Sequence, residues 1–554
     1  MGTQWSPRRV SSTDELAWDD AADVVVVGYG GAGVVAALQA RQDGADVLAI
    51  DRFGGGGATS YSGAVLYAGG TRHQKASGFD DTPEQMFNYL RAEGVPLSDD
   101  ALRRYCTGSN QDLEWLEGHG VPYGGNAFLE KTAFPPDGNW LYYAGNENTP
   151  KFRAVAQPAP RGHRVATPGM GGALYHQKLR QSAESLGVRL KSHSTVERLV
   201  QDPMGRVIGV EVRSLPKQYW DEHQELFAQV NPWQPFNNKR AERAVVKARQ
   251  LEEAHGRSSL MQARQGVILC TGGFIYNLDM LARYQSNVAR QYQGLLRLGS
   301  LGCNGSGIEL GRSVGGKMDL MDRLFIGSPL SPPVAYVSGG ILVNSRGERY
   351  TAEDGYHADI GNGTIAQPDC KSWLIMEGRT FWRAVKQSLL PGKGMFMIWG
   401  LPPLVNMILG GTKRSARLEG LARKIGVGPE GLMRTVSAFN AVADKGGPDP
   451  LGKSSEKLHP IRQGPFYAVN NSLDNFWFPT MAFTLGGLAV DEETGEVRSE
   501  AGGVVKGLYA AGRAAVGICS LGYMSGLSIA DTVFSGRRAA HHAASKVRSA
   551  ALAE

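Results

Sequence analysis

At 554 residues the chain exceeds one typical domain, and two domains are the starting expectation. Hydrophobic residues make up 42% and charged residues 20%, as in an ordinary globular protein, and 73 glycines, many in GG pairs, suit backbone wrapped closely around a large ligand. The net charge of +6 comes without a long basic run or aromatic–basic interleaving, which argues against nucleic-acid binding.

In chain order, Arg8-Arg9 is followed by acids at Asp14-Glu15 and Asp19-Asp20 with no apolar core, so the N-terminus does not read as a secretion signal. Residues 23–27 hold four consecutive valines and predict a strand buried on both faces. Gly28, Gly30 and Gly33 follow at G-x-G-x-x-G spacing, with Gly31 inside the turn. A helix over 34–42 and a second strand over 46–50 come next, and the strand ends in Asp51-Arg52. A dinucleotide site needs this order. The first glycine makes the tight turn, the second lets backbone approach a pyrophosphate, the third packs helix on strand, and the helix N-terminus stabilises phosphate charge. Asp51, 23 residues after Gly28, stands where an acid grips a ribose diol.

The Gly-rich loop 54–63, with Ala58, Thr59, Ser60 and Gly63, can lay backbone N–H groups against a phosphate or an isoalloxazine edge. A helix is predicted over 174–187, a strand over 188–193, and a hairpin over 196–212 around Asp202-Pro203-Met204-Gly205. Residues 265–274 form another buried strand running into Thr271-Gly272-Gly273, and 339–350 read as a hairpin of a second domain. The chain returns near 464–468, passes Thr484-Leu485-Gly486-Gly487-Leu488 and 507–513, and ends in a helix over 528–547. Cys106, Cys270, Cys303, Cys370 and Cys519 are widely spaced without a C-x-x-C pair. Neither a disulfide framework nor a metal site is expected, and a reducing cytoplasm fits.

Two segments look added. Residues 214–262 carry Tyr219, Trp220, Phe227, Trp233 and Phe236, then a charged helical stretch over 239–253. Residues 389–411 are apolar but broken by Pro391, Lys393, Pro402 and Pro403, so they do not span a membrane. Basic flanks on both sides suit a peripheral contact with anionic lipid, to which the aromatic part of 214–262 could add; a buried core segment or a subunit interface are the alternatives.

With these pieces assembled, the chain resembles the flavoprotein superfamily of fumarate reductases and 3-ketosteroid dehydrogenases. The resemblance covers most of 20–545 and rests on Gly28-x-Gly30-x-x-Gly33, 207–210, Cys270-Thr271-Gly272-Gly273, 340–344, 484–488 and 507–512. It implies an α/β chain: a Rossmann-like FAD-binding domain over 20–315 (with the insertion 214–262) and 462–554, and an inserted α+β substrate-capping domain over 316–461. It also implies bound FAD, with Val196, Thr271, Gly272, Gly512, Arg513, Ser528 and Ile529 joining Gly28, Gly30, Gly31, Gly33, Asp51, Arg52 and the Gly-rich loop as cofactor-binding residues. That loop has no histidine where covalent relatives attach the flavin, so FAD is expected to be non-covalent.

Fumarate reductases need cations for a dicarboxylate, with a His before the T-x-G-G run and an Arg after the A-A-G turn. This chain has Phe483 and Tyr523 there, and a neutral pocket cannot offset the desolvation of a dicarboxylate. Gly522-Tyr523-Met524-Ser525-Gly526 instead matches the Δ4-(5α)-dehydrogenase segment, and Tyr356 follows Arg349-Tyr350-x-x-Glu353-Asp354 as in that branch. The resemblance thus implies desaturation of a 3-keto-5α-steroid, passing electrons to an external acceptor. Tyr523 would polarise the carbonyl with Gly526 as a backbone donor, and Tyr356 and Ser525 would form a proton-removing relay; the two roles could be exchanged. A 3-ketosteroid Δ1-dehydrogenase, a fumarate-reductase-like flavoprotein and a membrane-associated electron-transfer flavin subunit are the alternatives.

Overall fold

The computed structural model describes residues 5–11, 15–234, 238–328, 330, 333–367, 369–390 and 396–551. The chain is a mixed α/β protein. The valine run forms β1 (Asp20–Val27), the helix after the glycine turn is α1 (Gly31–Gln42), and β2 (Val47–Ile50) returns parallel beside β1 with Val24 opposite Val47. Val24, Val25 and Val26 are fully buried, the burial on both faces expected of a strand covered by helices. α2 (Gly172–Ser185) packs on α1 and leads into β3 (Arg189–Lys191), which pairs with β2.

The expected hairpin is β4 (Ser194–Gln201) against β5 (Val207–Ser214). The added segment then folds as α3 (Trp220–Ala228) and α4 (Asn238–His255). It ends earlier than its expected limit at 262, because β6 (Arg257–Leu269) starts opposite β5, with Arg257 paired to Ser214. β6 serves two neighbourhoods. Residues 257–262 are antiparallel to β5, and from Met261 onward the strand runs parallel to β1, with an irregularity between Ala263 and Gly266.

β7 (Leu324–Gly327) lies outside this sheet. A second, antiparallel sheet is built from β8 (Gly340–Val343), β9 (Trp373–Glu377), β10 (Lys413–Ser415) and β11 (Phe466–Asn470), in the order β8-β9-β11-β10. The hairpin expected over 339–350 does not form: β8 pairs with β9, and only the bridge Val343–Arg349 remains of it. Arg349 is held by Glu353 at 2.8 Å and Asp449 at 2.7 Å in a buried ionic cluster, and Glu353 itself accepts from Leu342 N–H of β8 at 2.9 Å. The sheet closes only at Asn470, beyond 461. α5 (Gly378–Leu389) and α6 (Leu401–Leu409) connect β9 to β10.

β12 (Met481–Thr484) runs antiparallel to β7 with Phe483 opposite Phe325. β13 (Val504–Ala510) joins the first sheet on the free side of β6's second half, Val267 opposite Leu508. The last helix, α7 (Leu527–Ala551), packs along α1.

Candidate active site

The turn after β1 shows what the spaced glycines do. Gly28 has φ +91°, and a Cβ there would meet the Cys270 carbonyl oxygen at 2.7 Å. A Cβ on Gly33 would lie 1.8 Å from the Gly28 carbonyl oxygen, so α1 touches the end of β1 through this residue. Gly30 differs: its nearest neighbour would be the Gly56 carbonyl at 3.7 Å. It opens onto a long cavity at the N-terminus of α1, where the N-cap Gly30 offers no side chain and Thr59 Oγ1 accepts from Gly31 N–H at 3.1 Å. A roomy glycine at a helix N-terminus fits a pyrophosphate.

Asp51 lines the same cavity and ties two loops together. Its Oδ2 accepts from Tyr29 N–H at 2.7 Å and its Oδ1 from Phe53 N–H at 2.8 Å. Arg52 also lines the cavity, but its guanidinium is bonded to Glu252 of α4 at 2.7 Å, and Glu252 pairs in turn with His223 of α3 at 2.9 Å. The added segment therefore walls this end of the cavity through Phe227, Pro232 and Trp233, and Trp233 Nε1 donates to the Tyr61 carbonyl at 2.5 Å. Its other aromatic rings also face protein: Trp220 stacks on His193 at 4.7 Å and Tyr219 on His255 at 4.1 Å. Tyr219 and Trp220 are half-buried. Phe236 lies outside the described residues.

Most of the other expected cofactor residues line the cavity from separate elements. Ala58, Thr59 and Gly63 come from the Gly-rich loop, Val196 from β4, and Thr271 and Gly272 from the turn after β6. Gly512 and Arg513 follow β13, and Ser528 and Ile529 stand in the first turn of α7. Gly33 and Ser60 are not in the lining. Gly33 acts through packing, and Ser60 turns towards Gly56.

At the far end the cavity is aromatic. Phe325 and Phe483 stack at 4.6 Å, a result of the β7–β12 register, and Tyr523 meets them edge-on at 4.9 and 5.1 Å. Tyr356 lies 6.5 Å from Tyr523, ring to ring, and Arg513 leans over Phe483 at 4.9 Å. Burial pushes the phenols of Tyr523 and Tyr356 above their usual range, so both stay protonated as hydrogen-bond donors. Burial lowers His357 to about 3, leaving a neutral imidazole in the wall. Gly526, at φ +95°, is held where a Cβ would meet Tyr67 N at 2.9 Å.

Ser525 also lines this end, but its hydroxyl shares a hydrogen bond of 2.8 Å with Tyr142 rather than one with Tyr356. Tyr142 sits on the short strand Leu141–Tyr142, which pairs with Gly162–His163, itself paired with Leu66–Tyr67. Tyr67 N–H donates to the Gly526 carbonyl at 3.3 Å, so this small sheet carries Tyr142 to Ser525. No spacing or motif in the sequence marks Tyr142. The same holds for Trp399 and Met481, which also line the cavity.

The model of the FAD binding domain family matches residues 23–526. The chain is 36% identical over 515 residues to 3-oxo-5-alpha-steroid 4-dehydrogenase of Comamonas testosteroni, covering 91% of this chain and 94% of that protein. The structure of 3-ketosteroid-Δ4-(5α)-dehydrogenase from Rhodococcus jostii RHA1, in complex with 4-androstene-3,17-dione, aligns with a TM-score of 0.79 at 32% identity, over 97% of this chain and 99% of that one. 3-Ketosteroid Δ1-dehydrogenase from Sterolibacterium denitrificans shares the fold, with a TM-score of 0.66 at 18% identity, over 95% of this chain and 100% of that one.

Proposed function

Because the chain belongs to the FAD binding domain family and is an FAD-dependent oxidoreductase, we propose that it desaturates a 3-keto-5α-steroid between C4 and C5. The observation that carries this reading is the far end of the cavity: Tyr523 and Tyr356 with rings 6.5 Å apart, Ser525 bonded to Tyr142, and the stacked Phe325 and Phe483 rings against Tyr523.

The Rossmann-like part of the fold would hold FAD non-covalently, with the pyrophosphate over Gly30 and Gly31 and the ribose near Asp51. Bound FAD supplies the acceptor for the hydride that leaves C5. The sheet β8-β9-β11-β10 and its helices would form the lid over the substrate. Tyr523 would donate a hydrogen bond to the C3 carbonyl, with the Gly526 N–H as a second donor, and so stabilise the enolate that develops as the C4 proton leaves. Ser525 and Tyr356 would form the relay that carries that proton towards solvent, Ser525 passing on its own hydroxyl proton as it accepts one, with Tyr142 holding its hydroxyl in place. Electrons would pass on to an external acceptor. Steroids of this class partition into bilayers, and no helix among the described residues is long and apolar enough to cross one, so contact with a membrane would be peripheral.

The test is turnover of purified holoprotein with an artificial acceptor on a 3-keto-5α-steroid and on its 4-ene counterpart. Formation of the 4-ene product from the first supports the reading. Turnover of the 4-ene steroid alone would move the protein to Δ1 chemistry, and turnover of neither would refute the steroid assignment.

A further inference from the structure

Between Gly378 and Arg417 the sequence has forty residues without one Asp or Glu, and seven of them are Lys or Arg. This stretch includes α5, the turn Phe396–Gly400 and α6, which pack on one another. Pro391, Lys393 and Met395 lie outside the described residues, and so does the side chain of Ile398.

The three pieces present large apolar side chains to the outside. Ile408 on α6 is 77% exposed and Trp382 on α5 is 61% exposed, with Leu390, Met397 and Leu409 also exposed beside them. Phe476 and Trp477 are exposed as well, next in the chain to Asn475, which is bonded to Asn406 of α6 at 2.8 Å. An apolar face of this extent on a protein surface marks a contact. Around it, Arg379, Arg383 and Lys386 are exposed on α5, and Lys413, Arg414 and Arg417 at the other end.

We propose that this face docks on an anionic bilayer. The charge decides between occupants. A second copy packed on the same face by a two-fold axis would bring the two sets of cations together. Anionic headgroups complement them, while the apolar side chains enter the headgroup–acyl boundary. The face is also joined to the cavity. Trp399, in the same turn as Met397, is buried and lines the cavity, so a steroid leaving lipid here would enter past that turn. The choice of lipid as a source of substrate rests on the steroid reading above.

The experiment is co-sedimentation of the purified full-length holoprotein with phosphatidylcholine vesicles, with and without phosphatidylglycerol. Wild type should pellet with the anionic vesicles. Trp382→Ser with Ile408→Ser, and separately Arg383→Glu with Lys386→Glu, should each lower the bound-to-free ratio at least about tenfold. Melting temperature and turnover on the steroid in vesicle-free buffer should stay as in wild type, because none of these four residues lines the cavity. The proposal is overturned if wild type stays in the supernatant or if both double variants pellet like wild type. It is equally overturned if the Trp382/Ile408 variant only converts a dimer into monomer. Pelleting without any steroid turnover in buffer would overturn the substrate assignment and leave the docking face standing.

Discussion

Tyr523 lies between the edges of Phe325 and Phe483, and burial keeps its phenol protonated across the working pH range. Removing a donor aimed at a developing oxyanion typically costs about 10²- to 10³-fold in rate. Tyr523→Phe is therefore expected to lose that much turnover while retaining its flavin absorbance; turnover within threefold of wild type would take the residue out of the mechanism. Tyr142→Phe removes only the partner of Ser525. At about 1 kcal/mol for a net hydrogen bond, a fall of about fivefold in turnover is expected, with a shifted pH profile and unchanged steroid binding. Glu93 gives a pH prediction. Burial raises its carboxyl from 4.5 to about 7, against hydrogen bonds from Tyr89 at 2.6 Å and Asn146 at 3.0 Å. The fold thus favours the protonated form. That contribution is complete below the unfolded value and is lost as pH rises through 7. The melting temperature should fall between about pH 5 and 8, and fall less in Glu93→Gln, when both are followed by calorimetry.

The β1–turn–α1 element separates two uses of glycine that look alike in the sequence. A Cβ on Gly33 collides with the Gly28 carbonyl at 1.8 Å, whereas one on Gly30 finds its nearest neighbour at 3.7 Å. Gly33→Ala should thus lower the melting temperature of the protein and its flavin content together. Gly30→Ala should leave the apoprotein's melting temperature within a degree or two yet still empty the cavity of flavin, because the methyl group enters the space the pyrophosphate would take. Equal effects of the two substitutions on apoprotein stability would contradict this division of roles. At the same scale β8 shows how an element can be recognised and its partner mistaken. Its apolar run is plain, but the residues after it are tied to β8 through the Arg349–Glu353–Asp449 cluster rather than through a strand ladder, and β9 takes the place of the expected hairpin arm.

Across the whole molecule, the segment between β5 and β6 is a wall rather than an appendage. Arg52, Glu252 and His223 bind it to the end of β2, and Phe227, Pro232 and Trp233 form cavity surface. Ser214 and Arg257 are already paired across the strands, so a short turn can replace residues 216–255 without disturbing the sheet. Such a variant should fold, with the same far-ultraviolet circular dichroism per strand and helix kept. Its FAD should leave at least about tenfold faster, equivalent to losing about 1.4 kcal/mol of binding. Release rates within twofold of wild type would show that the wall does not hold the cofactor.

By itself the sequence determined the elements whose signals are local. The four valines, the three spaced glycines, the acid closing β2 and the hairpin around Asp202 each declare themselves within a few tens of residues, because burial on both faces and left-handed turns restrict residue type at that position. The Gly-Tyr-x-Ser-Gly segment likewise placed Tyr523 and Ser525 together. Only the tertiary structure decided which groups meet across the chain. Ser525 is bonded to a tyrosine 383 residues away, the aromatic rings of the insertion turn inward onto Phe53, Tyr61 and His193, and the second sheet takes its fourth strand from beyond 461. Pairings of this kind follow from how separately formed faces pack. They leave no periodicity or spacing in the residues that make them.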